Sequence, residues 1–194
     1  MKAIVFGYSS GIGKAIYDTC KENKLDVVGI GREDGVDINN QEQRKRVVSA
    51  SKDCDIIFVV AYGKENRFSQ CDMLAELFDE YQYQYKKIVI IGGNSPESRN
   101  KNEKRLNKHL YDSSKIALDH LAKRLNYLND PCQIILIRPG PTNSNHNIGL
   151  TKPLIDIYKL AENILKIVEM SNEMRITSTT IMQDTHTGVN GKCK

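Results

Sequence analysis

The chain has 194 residues, 40% of them hydrophobic and 27% charged, which suits one globular domain with a full core. Its net charge of +4 is small and scattered, so charge makes no case for nucleic acid; the densest basic stretch, Arg99 to Lys108, is diluted by asparagines and Glu103 and reads as a solvated loop. No apolar run has membrane-span length, no signal peptide precedes the first strand, and the five cysteines (20, 54, 71, 132, 193) form neither a CxxC nor a Cys/His ligand spacing, so the expectation is a metal-free cytoplasmic protein with no membrane or nucleic-acid partner.

Lys2 to Gly7 (KAIVFG) predicts a short buried strand. Gly7-Tyr8-Ser9-Ser10-Gly11-Ile12-Gly13 follows, then an amphipathic segment over Lys14 to Asn23. Such a strand, glycine turn and helix can bring backbone N–H groups and a helix N-terminus to a phosphate. It can equally be a plain strand-to-helix turn, because the spacing is G-x-x-x-G-x-G and not G-x-G-x-x-G. Asp26 to Gly31 predicts a second strand with Arg32 at its tip. In dinucleotide folds that tip meets the adenosine ribose, where an acid suits a free 2′-hydroxyl and an arginine a 2′-phosphate. Gly31 leaves room and Arg32 brings charge, which favours NADP(H). The alternative is NAD(H), with Arg32 capping a turn and Glu33 or Asp34 on the ribose.

Gly35 to Ile38 predicts a brief third strand, and Asn39 or Asn40 a cap for a helix over 41–51. Asp55 to Ala61 (DIIFVVA) has the continuous apolar character of a central parallel strand, ended by Gly63. Ser69 to Tyr85 is helical, with Met73, Leu74, Leu77, Phe78 and Tyr81 on one side. Tyr81, Tyr83 and Tyr85 suggest a helix edge or subunit contact more than a base-stacking platform. Lys87 to Gly93 is another strand, and Asn94 to Asn107 a polar loop.

The longest helical pattern runs from Leu106 to Leu128, with Leu110, Ile116, Leu118, Leu121, Ala122, Leu125 and Leu128 as its apolar stripe. Tyr111 and Lys115 lie one turn apart on one face. They are either two ordinary surface residues or a chemical pair, in which a nearby ammonium lowers the phenol pKa toward acid–base use. Gln133 to Arg138 predicts a strand broken by Pro139-Gly140-Pro141-Thr142, Leu154 to Met170 a helix, and Arg175 to Met182 a last strand. The alternation of strand and helix predicts an α/β doubly wound parallel sheet with helices on both faces. The glycine turn, Arg32, Gly63, Asn94 to Ser98, Tyr111 and Pro139 to Thr142 should share the rim at the strand C-termini.

With these motifs in order, the chain resembles the short-chain dehydrogenase/reductase family. The family's T-G-x-x-x-G-I-G is similar to Phe6 through Gly13, its Y-x-x-x-K to Tyr111 through Lys115, its P-G to Pro139-Gly140, and its aspartate-aliphatic pair to Asp37-Ile38. The likeness runs from about Lys2 to Thr142. There are departures. Phe6 replaces threonine, and N-A-G falls on Ala61-Tyr62-Gly63 without its asparagine. No asparagine lies between Arg67 and Gly93 to match the family's relay residue. The catalytic serine has two candidates: Ser95 by position after the strand, which is preferred, and Ser98 by distance from Tyr111.

The resemblance implies a single Rossmann-type domain over residues 1–194 and an NADP(H)-dependent oxidoreductase interconverting a carbonyl and an alcohol. Ser95, Tyr111 and Lys115 would be catalytic. Gly7, Ser9, Ser10, Gly11, Ile12 and Gly13 would hold the pyrophosphate and Arg32 the 2′-phosphate. Asp37 and Ile38 would meet the adenine. Ala61, Tyr62, Gly63, Tyr111, Lys115, Pro139, Gly140 and Thr142 would complete the cofactor site. The missing asparagines also admit a catalytically weak NADP(H)-binding sensor or assembly protein. A nucleotide-sugar epimerase or dehydratase is a further alternative, ranked lower for the short C-terminal part. Relatives pair through two long helices, here 69–85 and 106–128, so a homodimer or homotetramer is expected.

Overall fold

Side chains on a strand alternate between two faces, and this chain covers both. The computed structural model describes residues 1–93, 106–128, 130–143 and 154–183. Six parallel strands, β1 (Lys2–Phe6), β2 (Asp26–Ile30), β3 (Ile56–Val59), β4 (Lys87–Ile91), β5 (Gln133–Pro139) and β6 (Ser178–Ile181), form one sheet. Their order is β2-β1-β3-β4-β5-β6. The helices are α1 (Gly11–Glu22), α2 (Gln41–Ala50), α3 (Ser69–Tyr81), α4 (Leu106–Asn126) and α5 (Ile157–Met170). Ile4, Phe6, Ile57 and Val59 point into a core closed by α2, α3 and α4. Their neighbours Ala3, Val5, Ile56 and Phe58 point into a second core under α1 and α5. This is the Rossmann-type α/β architecture expected from the alternating pattern.

Several expected elements differ. Gly35 to Ile38 is not a strand. Val36 and Ile38 do bury their side chains, which produced the strand-like pattern. Their backbone turns away instead of pairing: Val36 N–H donates to the Gly31 carbonyl and Asp37 N–H to Gln43 Oε1. β2 is therefore the sheet edge, with Val28 exposed. α1 begins at Gly11, inside the glycine turn, three residues before the expected start. α3 ends at Tyr81, leaving Tyr83 and Tyr85 beyond it and exposed. β5 includes Pro139, which pairs with Ile181, so the break comes one residue later than expected. Asn40 is the α2 cap, its side chain accepting from Gln43 N–H, and Asp156 caps α5 through Tyr158 and Lys159 N–H.

α4 departs most from its expected stripe. Leu118 and Ala122 are buried, whereas Leu110, Ile116 and Leu128 are exposed. In the first half of the helix the buried positions are Ser114 and Lys115. A helix that turns a lysine inward has given up apolar burial there, which directs attention to what the lysine meets.

Candidate active site

Because every strand is parallel, the segments leaving their C-terminal ends line one rim, and the switch in chain direction beside β1 opens a crevice in it. The glycine turn occupies the centre of that rim. Gly7 has φ of 93°, and a side chain there would start 2.7 Å from the Ala61 nitrogen. A side chain at Gly13 would start 2.0 Å from the Gly7 carbonyl oxygen. The loop is thus drawn tight against both α1 and the segment after β3. Ser9 and Ser10 are exposed. Ser10 is the α1 cap residue, yet its side chain makes no capping hydrogen bond, and no acidic residue lies in the first turn. The first-turn N–H groups of α1 and the positive end of its dipole therefore remain for an anion. These residues fit a dinucleotide pyrophosphate.

At the tip of β2, Gly31 N–H donates to Asp34 Oδ2 at 2.9 Å, which folds the Asp34 carboxylate back onto the strand end. The Tyr8 ring lies over Gly29, where a side chain would start 2.4 Å from the ring. The negative charge of Asp34 raises the Tyr8 phenol, helped by burial and by Glu33. Arg32 is exposed; its carbonyl accepts from Gly35 N–H, and its guanidinium has no hydrogen bond or ion pair with the described residues. Asp37 Oδ1 accepts from both the backbone and the side chain of Asn39, and the Ile38 side chain lies in the core.

Beyond β3, Ala61 N–H donates to the Phe6 carbonyl, which ties this segment to the glycine turn. Gly63 is buried against Asn39 and Ser69. Tyr62 between them reaches across the rim. Its ring meets that of Tyr111 edge-on, centroids 5.4 Å apart, and its hydroxyl accepts from Arg67 Nη1 at 3.4 Å. Tyr111 turns its own hydroxyl to the end of β4: a side chain at Gly93 would start 3.1 Å from it and 3.8 Å from Lys115 Cγ. Lys115 Nζ lies 4.8 Å from the Tyr62 ring centre and 5.4 Å from that of Tyr111. The phenol, the amine and the glycine turn thus connect through Tyr62 and Ala61.

The electrostatics correct one expectation. Lys115 does not lower the Tyr111 pKa. Burial pushes that phenol up to about 12, with Tyr62 and Asp112 acting in the same sense. Burial also lowers the Lys115 amine to about 8. The reason is desolvation, which disfavours whichever form is charged. The amine is engaged elsewhere, donating to Gln70 Oε1 at 2.5 Å. Gln70 was not anticipated. Its signal was present: it continues the stripe of Leu74, Leu77 and Tyr81 one turn toward the N-terminus of α3, a polar residue in an otherwise apolar, buried row.

Past β5, Gly140 N–H donates to the Ile181 carbonyl, and Pro141 and Asn143 exchange backbone hydrogen bonds with Ile155. Thr142 is buried in a bridge to Ile155. Pro139 to Thr142 is thereby anchored at the rim by β6 and the segment before α5. Ser95 and Ser98 lie outside the described residues. The described arrangement brings together a helix start with uncapped N–H donors, a phenol that keeps its proton through neutral pH, and a buried amine beside it.

No protein-family model and no curated protein matches the sequence. Solved structures do. A 3-alpha-hydroxysteroid dehydrogenase from a Pseudomonas species, complexed with NADH, superposes with a TM-score of 0.76 at 17% identity over 96% of this chain and 97% of that one. A 3-ketoacyl-(acyl-carrier-protein) reductase from Brucella melitensis, also complexed with NADH, gives 0.75 at 14% identity over 93% and 96%. A short chain dehydrogenase from Burkholderia cenocepacia in complex with NADP gives 0.74 at 15% identity over 92% and 86%. The chain has the fold of the short-chain dehydrogenases/reductases.

Proposed function

We propose that the protein is a short-chain dehydrogenase/reductase that interconverts a small carbonyl compound and its alcohol with a nicotinamide cofactor, NADP(H) in preference to NAD(H). One observation carries this reading: the Tyr111 hydroxyl and the Lys115 amine stand together at the end of β4, joined through Tyr62 and Ala61 to a glycine turn with open helix N–H donors. The neighbours complexed with NADH or NADP support it.

When bound, the nicotinamide supplies or accepts the hydride. The chain's own residues do the rest. Gly7, Ser9, Ser10, Gly11, Ile12 and Gly13 hold the pyrophosphate on the N-terminus of α1. Arg32 serves the 2′-phosphate, an assignment favoured by its exposure and by the engagement of Asp34 with Gly31. Asp37 Oδ1 already serves Asn39, which leaves its second carboxylate oxygen for the adenine end. Lys115 anchors the nicotinamide ribose. Tyr111 donates its proton to the carbonyl oxygen in reduction, and its high pKa keeps that proton available at neutral pH. Ser95, in preference to Ser98, hydrogen-bonds the same oxygen, and Ala61, Gly63, Pro139, Gly140 and Thr142 shape the walls. Two copies pair through the outer face of α4, where Ile116, Ala117, His120 and Leu121 line an open groove.

The test is Tyr111→Phe in NADPH-dependent reduction of a carbonyl panel. Turnover should fall by about a thousandfold or more, at the scale of lost proton donation in catalysis, with NADPH affinity within a fewfold of wild type. A variant that retains turnover contradicts the mechanism. The Tyr62 ring beside both Tyr111 and Lys115 favours a second reading, an NADP(H)-binding sensor or assembly protein. NADPH stabilisation of the wild type without turnover on any carbonyl would select it.

A further inference from the structure

Gln70 is buried, 2% exposed, in the first turn of α3. Its side chain is held at both ends. Nε2 donates to the Ile91 carbonyl, the last of β4, at 3.2 Å, and Oε1 accepts from Lys115 Nζ at 2.5 Å. Lys115 Nζ also approaches the same Ile91 carbonyl at 3.5 Å. Packing alone does not account for a glutamine here. Its neighbours in the stripe are Leu74, Leu77 and Tyr81, and a leucine would fill the space with no polar group to satisfy. The amide instead forms a rigid bracket. Ile91 fixes its orientation, so that only the carbonyl oxygen can face the amine.

We infer that Gln70 is a positioning residue for Lys115, whose side-chain carbonyl claims one N–H of the buried amine, beside the one that approaches the Ile91 carbonyl, and leaves the third for the rim. The inference deepens the proposed function, on which the role of Lys115 rests. Its energetic sense follows from the surroundings. The titratable groups facing the amine are Tyr62 from the segment after β3, Cys71 from α3 and Tyr111 from α4. Arg67 and Asp112 stand behind Tyr62 and Tyr111. No carboxylate among the described residues forms an ion pair with Lys115. A neutral acceptor on Nζ therefore supports the ammonium against the burial that opposes it.

The test compares wild type, Gln70→Leu and Gln70→Glu. Lysine labelled with ¹³C at Cε reports the Lys115 titration by NMR, assigned from the signal missing in Lys115→Arg. NADPH affinity is read in parallel, with thermal unfolding as the control for folding. The inference predicts that Gln70→Leu lowers the Lys115 midpoint by about one pH unit and weakens NADPH about tenfold, the scale of one hydrogen bond to a charged group. Gln70→Glu should raise the midpoint above wild type and restore binding relative to Gln70→Leu. A Gln70→Leu midpoint equal to that of the wild type overturns the inference. The titration needs no turnover, so a wild type inactive on every carbonyl would defeat the proposed function while the NMR result still decides the place of Gln70.

Discussion

At Tyr111 and Lys115, burial raises a phenol to about 12 and lowers an amine to about 8. Each group is held in its uncharged form over a wider pH range than in water. The same shifts predict how stability depends on pH. Lys115 has a folded pKa below its usual 10.5, so between about 8 and 10.5 the unfolded chain binds more protons and folding strengthens as pH rises. Tyr111 works in the opposite sense, its contribution lost only as pH climbs from 10 toward 12. Urea unfolding of the wild type and of Lys115→Met should therefore diverge across pH 8 to 10. The wild type should gain on the variant, by about 3 kcal/mol in total by pH 10.5. A constant difference would mean that the amine is not desolvated.

Among the elements, the glycine turn and the helix caps make contrasting predictions. In Gly13→Ala the new methyl would meet a backbone oxygen at 2.0 Å, and no rotamer relieves that. The turn must open, at a cost of about 2 kcal/mol or more, and NADPH binding should fall with it. Asp156→Ala removes a carboxylate that accepts from two α5 N–H groups. It should cost about 1 kcal/mol with NADPH affinity unchanged. Both are read by urea unfolding and cofactor titration. These local features also mark how far sequence alone reached. β1, β3, β4 and β5 were legible because strands covered on both faces must be continuously apolar. Gly35 to Ile38 misled because Val36 and Ile38 are buried at strand spacing without a ladder beside them. The α4 stripe misled because periodicity cannot tell a core face from an outer apolar face, and here the site draws Lys115 inward while Ile116 faces out. The pairing of Tyr111 with Lys115 was readable from a four-residue spacing. Gln70 lies 45 residues before Lys115 in the chain, on another helix, and only the tertiary fold brings it to the amine.

Across the whole molecule, a sheet of six parallel strands gathers loops that are distant in sequence onto one rim, and it leaves β2 and the outer face of α4 at the surface. The α4 face exposes Leu110 at 39% and Ile116 at 53%, apolar area that a self-associating protein would cover. Ile116→Glu should therefore shift sedimentation velocity from the oligomer to the monomer, with the far-UV spectrum retained. A wild type that already sediments as a monomer would remove α4 as an interface. The central claim concerns the rim itself, and a crystal structure of the protein soaked with NADPH tests it most directly. The account predicts the pyrophosphate on the N–H groups at the start of α1, the nicotinamide ribose within hydrogen-bonding reach of Lys115 Nζ, and the Tyr111 hydroxyl facing the nicotinamide. Cofactor bound away from the turn at Gly7 to Gly13, or a nicotinamide turned away from Tyr111, would contradict it.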